Sequence, residues 1–328
     1  MFAIFSRGRT QEGFSLIEMM VVIAIMGVVT AQLFGVFANQ KRVFMSNERA
    51  LDVQESSRLT LDLVSFDTRM AGFMVPRWTA VSSVDGGNTD SDRFCVSSSS
   101  FVGMNAVSLD AKLQRFAGAQ VTAVSATSVD VDNTDIDGDG NVDFQADAGV
   151  IVATPTRTYC AVVATRSATQ ITFSSPEDAA GYLGPVTGDM RAVPANVYEL
   201  DQPNLELRRN GLLLASQIED FQVEYWLDNS ATPNGVEDDD DEFPVNDLAA
   251  PDPPGGAIPA NNAQIRRVRV SVIARTLREE GNTNAAGNLN YGRPQLANRD
   301  AGAALDRFRR RSFSASILPR NLVAVGDE

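Results

Sequence analysis

Oxygen-bearing side chains alternate with other residues over nine positions near the middle of the chain. They are Asp135, Asp137, Asp139, Asn141 and Asp143, with Gly140 at the sixth position. A tight loop turns alternate side chains inward, where hard oxygen ligands surround a cation such as Ca²⁺. A complete EF-hand-type loop carries a glutamate at its twelfth position, but this chain has Ala146 there, so Asp147 or a distant carboxylate would have to substitute. The pattern predicts a weak calcium site in which Asn141 contributes its backbone carbonyl; the alternative is a solvated Asx-rich turn.

One acidic residue, Glu18, interrupts an apolar run of about 24 residues at positions 14–37. At 1.5 Å per residue such a helix spans roughly 36 Å, which is enough to cross a bilayer with some tilt. A carboxylate at the centre of a membrane helix costs roughly 2.5–3.5 kcal/mol, and less near the edge. Because of that cost, Glu18 is predicted to have a functional role; the alternative is a tolerated glutamate near the lipid headgroups.

The chain has two cysteines, Cys95 and Cys160, and both lie in segments of strand-like composition. An even number of cysteines in an exported chain suggests a disulfide. We therefore predict one disulfide between them, with two buried free thiols as the alternative.

Composition argues against two classes of function. The chain has no histidine, which is the commonest general base and the commonest zinc ligand, and it has no nucleophile motif. Its formal net charge is −14, whereas nucleic-acid binding depends on clustered lysine and arginine. We therefore predict neither an enzyme nor a nucleic-acid partner, and no cofactor besides the possible calcium ion.

The N-terminal segment fits neither of two common export signals. A secretory signal has an apolar region of roughly 7–15 residues, and the run at 14–37 is longer. A plain signal anchor explains neither Glu18 nor the junction between Gly13 and Phe14. Arg7 and Arg9 in the preceding segment keep that segment cytoplasmic by the positive-inside tendency.

The sequence from Gly13 to Ile25, GFSLIEMMVVIAI, resembles the class III leader of type IV prepilins and type II secretion pseudopilins. The resemblance implies that a membrane aspartyl prepilin peptidase cleaves after Gly13 and N-methylates Phe14. It also implies that Glu18 pairs with the new terminal amine of a neighbouring subunit inside an apolar filament.

The helical pattern continues beyond the apolar run to about residue 71. Large apolar residues form one stripe, Phe37, Phe44, Leu51, Leu59, Leu63, Phe66 and Met70. Spacings of three, four, seven and eight residues are typical of one helix face, and Gly72 and Pro76 supply a stop. We predict that the second half of this helix packs the stripe against the rest of the protein.

From residue 73 onward, short β-rich runs alternate with Gly, Ser, Asn and Asp clusters, which indicates antiparallel sheet. Residues 221–227 and 267–273 alternate most cleanly and are predicted to be central paired strands. The predicted fold class is α+β, a pilin fold with a long N-terminal helix packed on an antiparallel β-sheet head. Its predicted parts are a cytoplasmic leader (1–13), a transmembrane half-helix (14–37), an amphipathic half-helix (38–72) and a periplasmic head (73–328).

Three C-terminal segments, 214–227, 268–277 and 309–315, resemble PilW-like minor pilins. The resemblance implies a minor pilin of a type IV pilus, assembled through its N-terminal helix in a tip or priming complex. The implied partners are other minor and major pilins, the prepilin peptidase, the inner-membrane assembly platform and, before assembly, inner-membrane lipid. The implied location is the inner membrane with a periplasmic head, then the extracellular filament. Alternatives are a type II secretion pseudopilin and a membrane-anchored periplasmic enzyme.

Overall fold

A computed structural model describes residues 15–73, 75–84, 86, 90–98, 118–154, 157–174, 179–227, 244–245, 265–277, 279, 291–297, 299–303 and 305–323. Gly13 and Phe14, on which the predicted processing depends, lie outside the described residues. The chain divides into two units, Met1–Leu51 and Asp52–Glu328.

Helix α1 (Leu16–Met70) begins in the first unit and ends in the second. Within the described residues, it is the one helix that is long and apolar enough, by length and composition, to cross a membrane. The helix ends because Gly72 has a φ of +75°, a left-handed conformation that glycine adopts without steric cost. The predicted end at Gly72 is therefore confirmed.

Two strands, β1 (Val81–Val84) and β2 (Arg93–Ser97), follow a 3₁₀ turn at Arg77–Thr79. The next strands are β3 (Ala119–Val124), β4 (Ser128–Val131), β5 (Gly149–Thr154), β6 (Arg157–Arg166), β7 (Gln170–Phe173) and, after a short helix α2 (Ala179–Leu183), β8 (Arg191–Asp201). The strands from β3 to β8 pair antiparallel in the closed order β3, β4, β7, β6, β5, β8 and back to β3. This ring is a small six-stranded barrel, and side chains such as Val121, Val152, Ile171 and Met190 fill its core.

The rest of the second unit contains β9 (Glu206–Arg209), β10 (Leu212–Ser216), β11 (Ile218–Leu227), β12 (Pro244–Val245), β13 (Ile265–Arg275), β14 (Tyr291–Gly292), β15 (Leu305–Asp306), β16 (Arg310–Ile317) and a short helix α3 (Arg320–Val323). An antiparallel sheet has the order β12, β11, β13, β16. The predicted pairing of residues 221–227 with 267–273 is confirmed, since Val223 lies opposite Val270. Leu61 and Val64 of α1 pack in one core cluster with this sheet. The predicted α+β class, a long N-terminal helix packed on antiparallel sheet, is confirmed.

Helix α1 packs on the sheet through a different face from the one that we predicted. In the second unit its buried apolar residues are Leu61 and Val64, whereas Leu59 and Phe66 are 63% and 62% exposed. The buried face also contains hydroxyl residues. Three of them donate to the carbonyl oxygen four positions earlier, at 2.7–2.8 Å: Ser57, Thr60 and Thr68. Because these hydroxyls are satisfied within the helix, small polar residues can line a buried face.

A disulfide joins Cys95 of β2 to Cys160 of β6, with 5.6 Å between the Cα atoms. Both cysteines are buried in a third core cluster, together with Ile151, Val193 and Val197. The bond thus links a strand outside the barrel to the barrel wall.

Candidate functional site

The N-terminal end of α1 positions Glu18 by a local hydrogen bond. The backbone N–H of Ser15 donates to Oε2 of Glu18 at 2.9 Å. Ser15 directly precedes the first helical residue, so Glu18 lies three positions after the cap, as in a capping box. Sequence analysis missed this role, although the spacing Ser-x-x-Glu is the signal for it.

The first unit exposes large apolar side chains along α1. Phe34, Phe37 and Phe44 are among them, and Leu51 at its end is also exposed. An exposed apolar surface of this extent marks contact with lipid or with another protein. The second unit continues the exposed set with Leu59, Phe66 and Met70.

The acidic loop lies on the barrel, between β4 and β5. Carboxylate oxygens of Asp135, Asp137 and Asp143 lie within 4.8 Å of one another. The neighbouring apolar residues Ile136 and Val142 pack against the barrel core and thus anchor the loop. The cluster therefore contains three of the five predicted ligands.

Backbone hydrogen bonds hold the loop in its shape. Oδ1 of Asp135 accepts from the backbone N–H of Gly138 at 2.8 Å, and its Oδ2 accepts from that of Gly140 at 2.9 Å. Both glycines have positive φ, +75° and +89°, which permits the tight turn. The two remaining predicted ligands bond each other: Asp139 accepts from the side-chain amide of Asn141 at 3.1 Å. The structure does not bring the Asp139 carboxylate into the cluster.

Asp143 is the electrostatically unfavourable member of the cluster. The pKa of its carboxyl group is raised to about 6: burial raises it most and the charges of Asp137 and Asp135 add to this, while a hydrogen bond from the backbone N–H of Ile136 acts in the opposite direction. A bound cation would offset both the burial and the repulsion. Oxygen donors of this kind suit a hard cation such as Ca²⁺, which takes six to eight oxygens, so water or backbone carbonyls would complete the shell.

A second polar cluster connects α1 to β8 and β9. Oδ2 of Asp67 accepts hydrogen bonds from Asn196 Nδ2 at 3.0 Å, from the hydroxyl of Tyr198 at 2.7 Å and from Arg209 Nε at 2.9 Å. Burial, and then the charge of Asp67, raise the pKa of Tyr198. Sequence analysis missed this cluster because no local pattern connects residues more than a hundred positions apart.

Comparison with known proteins identifies the N-terminal segment. A family model described as the prokaryotic N-terminal methylation motif matches residues 8–31. The chain has the N-terminus of a type IV prepilin. The matched residues of this type IV pilin-like chain include Gly13, Phe14 and Glu18, and they confirm the class III leader. The likeness to PilW remains a prediction.

The other comparisons add little to this. No curated protein matches the type IV pilin-like chain. Among solved structures, a type IV-like pilin from Thermus thermophilus matches with a TM-score of 0.23 and 16% identity, over 53% of this chain and 86% of that chain. A TM-score this low carries no argument.

Proposed function

We propose that the chain is a minor pilin subunit of a type IV pilus. The observation that carries the proposal is the methylation motif at residues 8–31, which includes the start of an exposed apolar helix at Leu16. In this proposal residues 14–37 cross the inner membrane, residues 38–72 continue the helix and residues 73–328 form a periplasmic head. The role is structural: assembly machinery extracts the subunit from lipid and packs it with other pilins.

The proposed processing step removes residues 1–13. A prepilin peptidase cleaves after Gly13 and methylates the new amine of Phe14. The matched motif supports this step because it spans the junction. Glu18, exposed at the start of α1, then pairs with the amine of a neighbouring subunit.

Assembly would bury the apolar residues that α1 exposes. Within the second unit, Leu59 and Phe66 lie seven positions apart on one face of the helix, which is not the face that packs on the sheet. An apolar stripe that the head does not cover suits contact with a helix from another subunit.

A position at or near the filament tip is part of the proposal. The barrel formed by residues 119–201 enlarges the head, and a tip subunit has fewer neighbours that would limit head size. Chemical crosslinking in membranes tests the identity of the neighbours. Recovery of minor pilins supports the proposal, whereas recovery of type II secretion pseudopilins contradicts it.

We also propose that the acidic loop binds Ca²⁺. Support comes from the cluster of Asp135, Asp137 and Asp143 and from the burial of Asp143 beside two like charges. Asp139 and the carbonyl of Asn141 complete the proposed ligand set after a local rearrangement. Bound calcium would order the loop on the barrel.

The experiment that tests the proposed function is mass spectrometry of the mature N-terminus. We expect the chain to begin with N-methylphenylalanine derived from Phe14. A Gly13→Val variant should keep its leader, because the peptidase site is lost, whereas a Gly8→Val variant, altered within the leader, should be processed normally. A native chain that begins at Met1, or near Asn39, contradicts the pilin proposal.

A further inference from the structure

A cavity of about 450 Å³ lies beside the end of α1, next to the outward face of the helix that includes Phe66. Phe66 and Met70 of the helix form an apolar side, while Asn196, Arg209 and Asn210 contribute polar groups. Asp67 also lines the cavity. This volume is within the range of small-molecule sites, which combine apolar walls with a few fixed polar groups.

The polar groups keep unused hydrogen-bonding capacity. The hydrogen bonds and the ion pair to the Asp67 side chain all reach Oδ2, so Oδ1 has no partner within the described part of the chain, although the side chain is only 8% exposed. Arg209 bonds Asp67 through Nε and Nη2, which leaves the donors of Nη1 without a partner among the same residues. The side-chain amide of Asn210 donates to Asn196 Oδ1 and keeps its second N–H.

The cavity therefore offers an acceptor and several donors side by side, next to an apolar wall. A hydroxyl group both donates and accepts, so it can bond Asp67 Oδ1 and an arginine or asparagine N–H together. Phe66 and Met70 suit the C–H face of a sugar ring. Because Arg209 neutralises Asp67 across 2.8 Å, the site has no strong preference for a charged ligand.

We propose that this cavity is a binding site for a saccharide. An extended peptide would also bring donors and acceptors, but it would find no open strand edge here. At Tyr198, β8 is already paired with β2 on one side and β9 on the other, so only side chains face the cavity. The few available groups predict weak binding, with Kd on the order of 1 mM.

Ligand-observed NMR on the full-length chain tests the proposal. The chain is held in a detergent without a sugar headgroup, and the ligands are glucose, galactose, mannose and N-acetylglucosamine, with N-acetylglycine methylamide as a peptide probe. We expect saturable binding of at least one sugar and none of the peptide probe.

Two exposed residues of the same helix provide a matched pair of variants. Phe66→Ala should weaken sugar binding by roughly tenfold, because it removes the apolar wall. Leu59→Ala, which does not line the cavity, should bind as the unmodified chain does; thermal melting confirms that both variants fold. Absence of saturable sugar binding, binding of the peptide probe alone, or equal binding by both variants would overturn the proposal. The proposed pilin function is judged separately, by the mature N-terminus.

Discussion

The two sides of helix α1 in the second unit differ in their side chains and in what covers them. The buried side contains Leu61 and Val64, together with hydroxyls that bond the helix itself. The outward side contains larger apolar residues, Leu59 and Phe66, which nothing in the described chain covers. Size and hydrophobicity alone would have placed Leu59 and Phe66 on the buried side of the helix.

The difference shows that an apolar stripe marks an interface without saying which partner covers it. Small hydroxyl residues let this helix approach the sheet closely, whereas Leu59 and Phe66 on the other side remain available for another chain. Changes on the inward side should therefore alter melting, and changes on the outward side should alter assembly.

The largest expected effect is on the inward side. Val64→Asp should cost about 4 kcal/mol or more, because it buries an unpaired carboxylate in the core. Phe66→Asp, two positions later on the outward side, should change stability by less than about 0.5 kcal/mol and strongly reduce incorporation into filaments. Thermal melting and immunoblots of sheared filaments measure the two effects. Equal destabilisation by both variants would remove the distinction between the faces.

Removal of the disulfide, which lies in the buried core, should give the next largest effect. Replacing Cys95 and Cys160 together by alanine should lower the free energy of unfolding by about 4 kcal/mol, since the bond closes a loop of 65 residues. Mature chains that still fold should enter filaments normally. Alkylation before and after reduction checks the bond itself, and two reactive thiols in the native chain would refute it.

Local patterns in the sequence predicted the helix and the central strands. They did not predict which face of the helix is buried or that six strands close into a barrel. Residues 16–70, 221–227 and 267–273 were recognisable because apolar periodicity and stop signals are local. Barrel closure was not, because it requires β8 to pair with both β3 and β5, which is set by contacts distant in sequence. The turn at Asn210-Gly211 was missed although Asn-Gly is a strong hairpin signal.

The acidic loop shows the same limit at the scale of a site. Alternation predicted that the aspartates converge, and three of them do. It could not predict that Asp139 bonds Asn141 instead, because that choice depends on the particular turn at Gly138 and Gly140.

Glu18, which lies in the first unit, allows a finer test of assembly. Glu18→Gln retains an oxygen that can accept from Ser15 N–H, so the helix cap is kept while the charge is lost. If charge pairing matters, Glu18→Gln and Glu18→Ala should both insert into membranes and both reduce filament incorporation, by roughly tenfold or more. Normal incorporation of Glu18→Gln with a defect only in Glu18→Ala would assign the residue to capping alone.

Calcium should give the smallest effect, and it should change melting rather than assembly. A site with an incomplete ligand set is expected to have Kd of about 10⁻⁴–10⁻³ M, so calcium at about 1 mM should stabilise the folded chain by about 0.4–1.4 kcal/mol. That corresponds to a rise in Tm of roughly 1–5 °C. The measurement is thermal melting of the full-length chain in detergent, in millimolar calcium and in excess chelator, with magnesium as a second control.

Asp137→Asn should abolish the shift because it removes a member of the cluster, whereas Asp189→Asn, exposed and outside the loop, should keep it. Equal Tm values for the unmodified chain in calcium and chelator, with no heat in titration, would reduce the loop to a solvated turn whose shape its backbone hydrogen bonds already maintain.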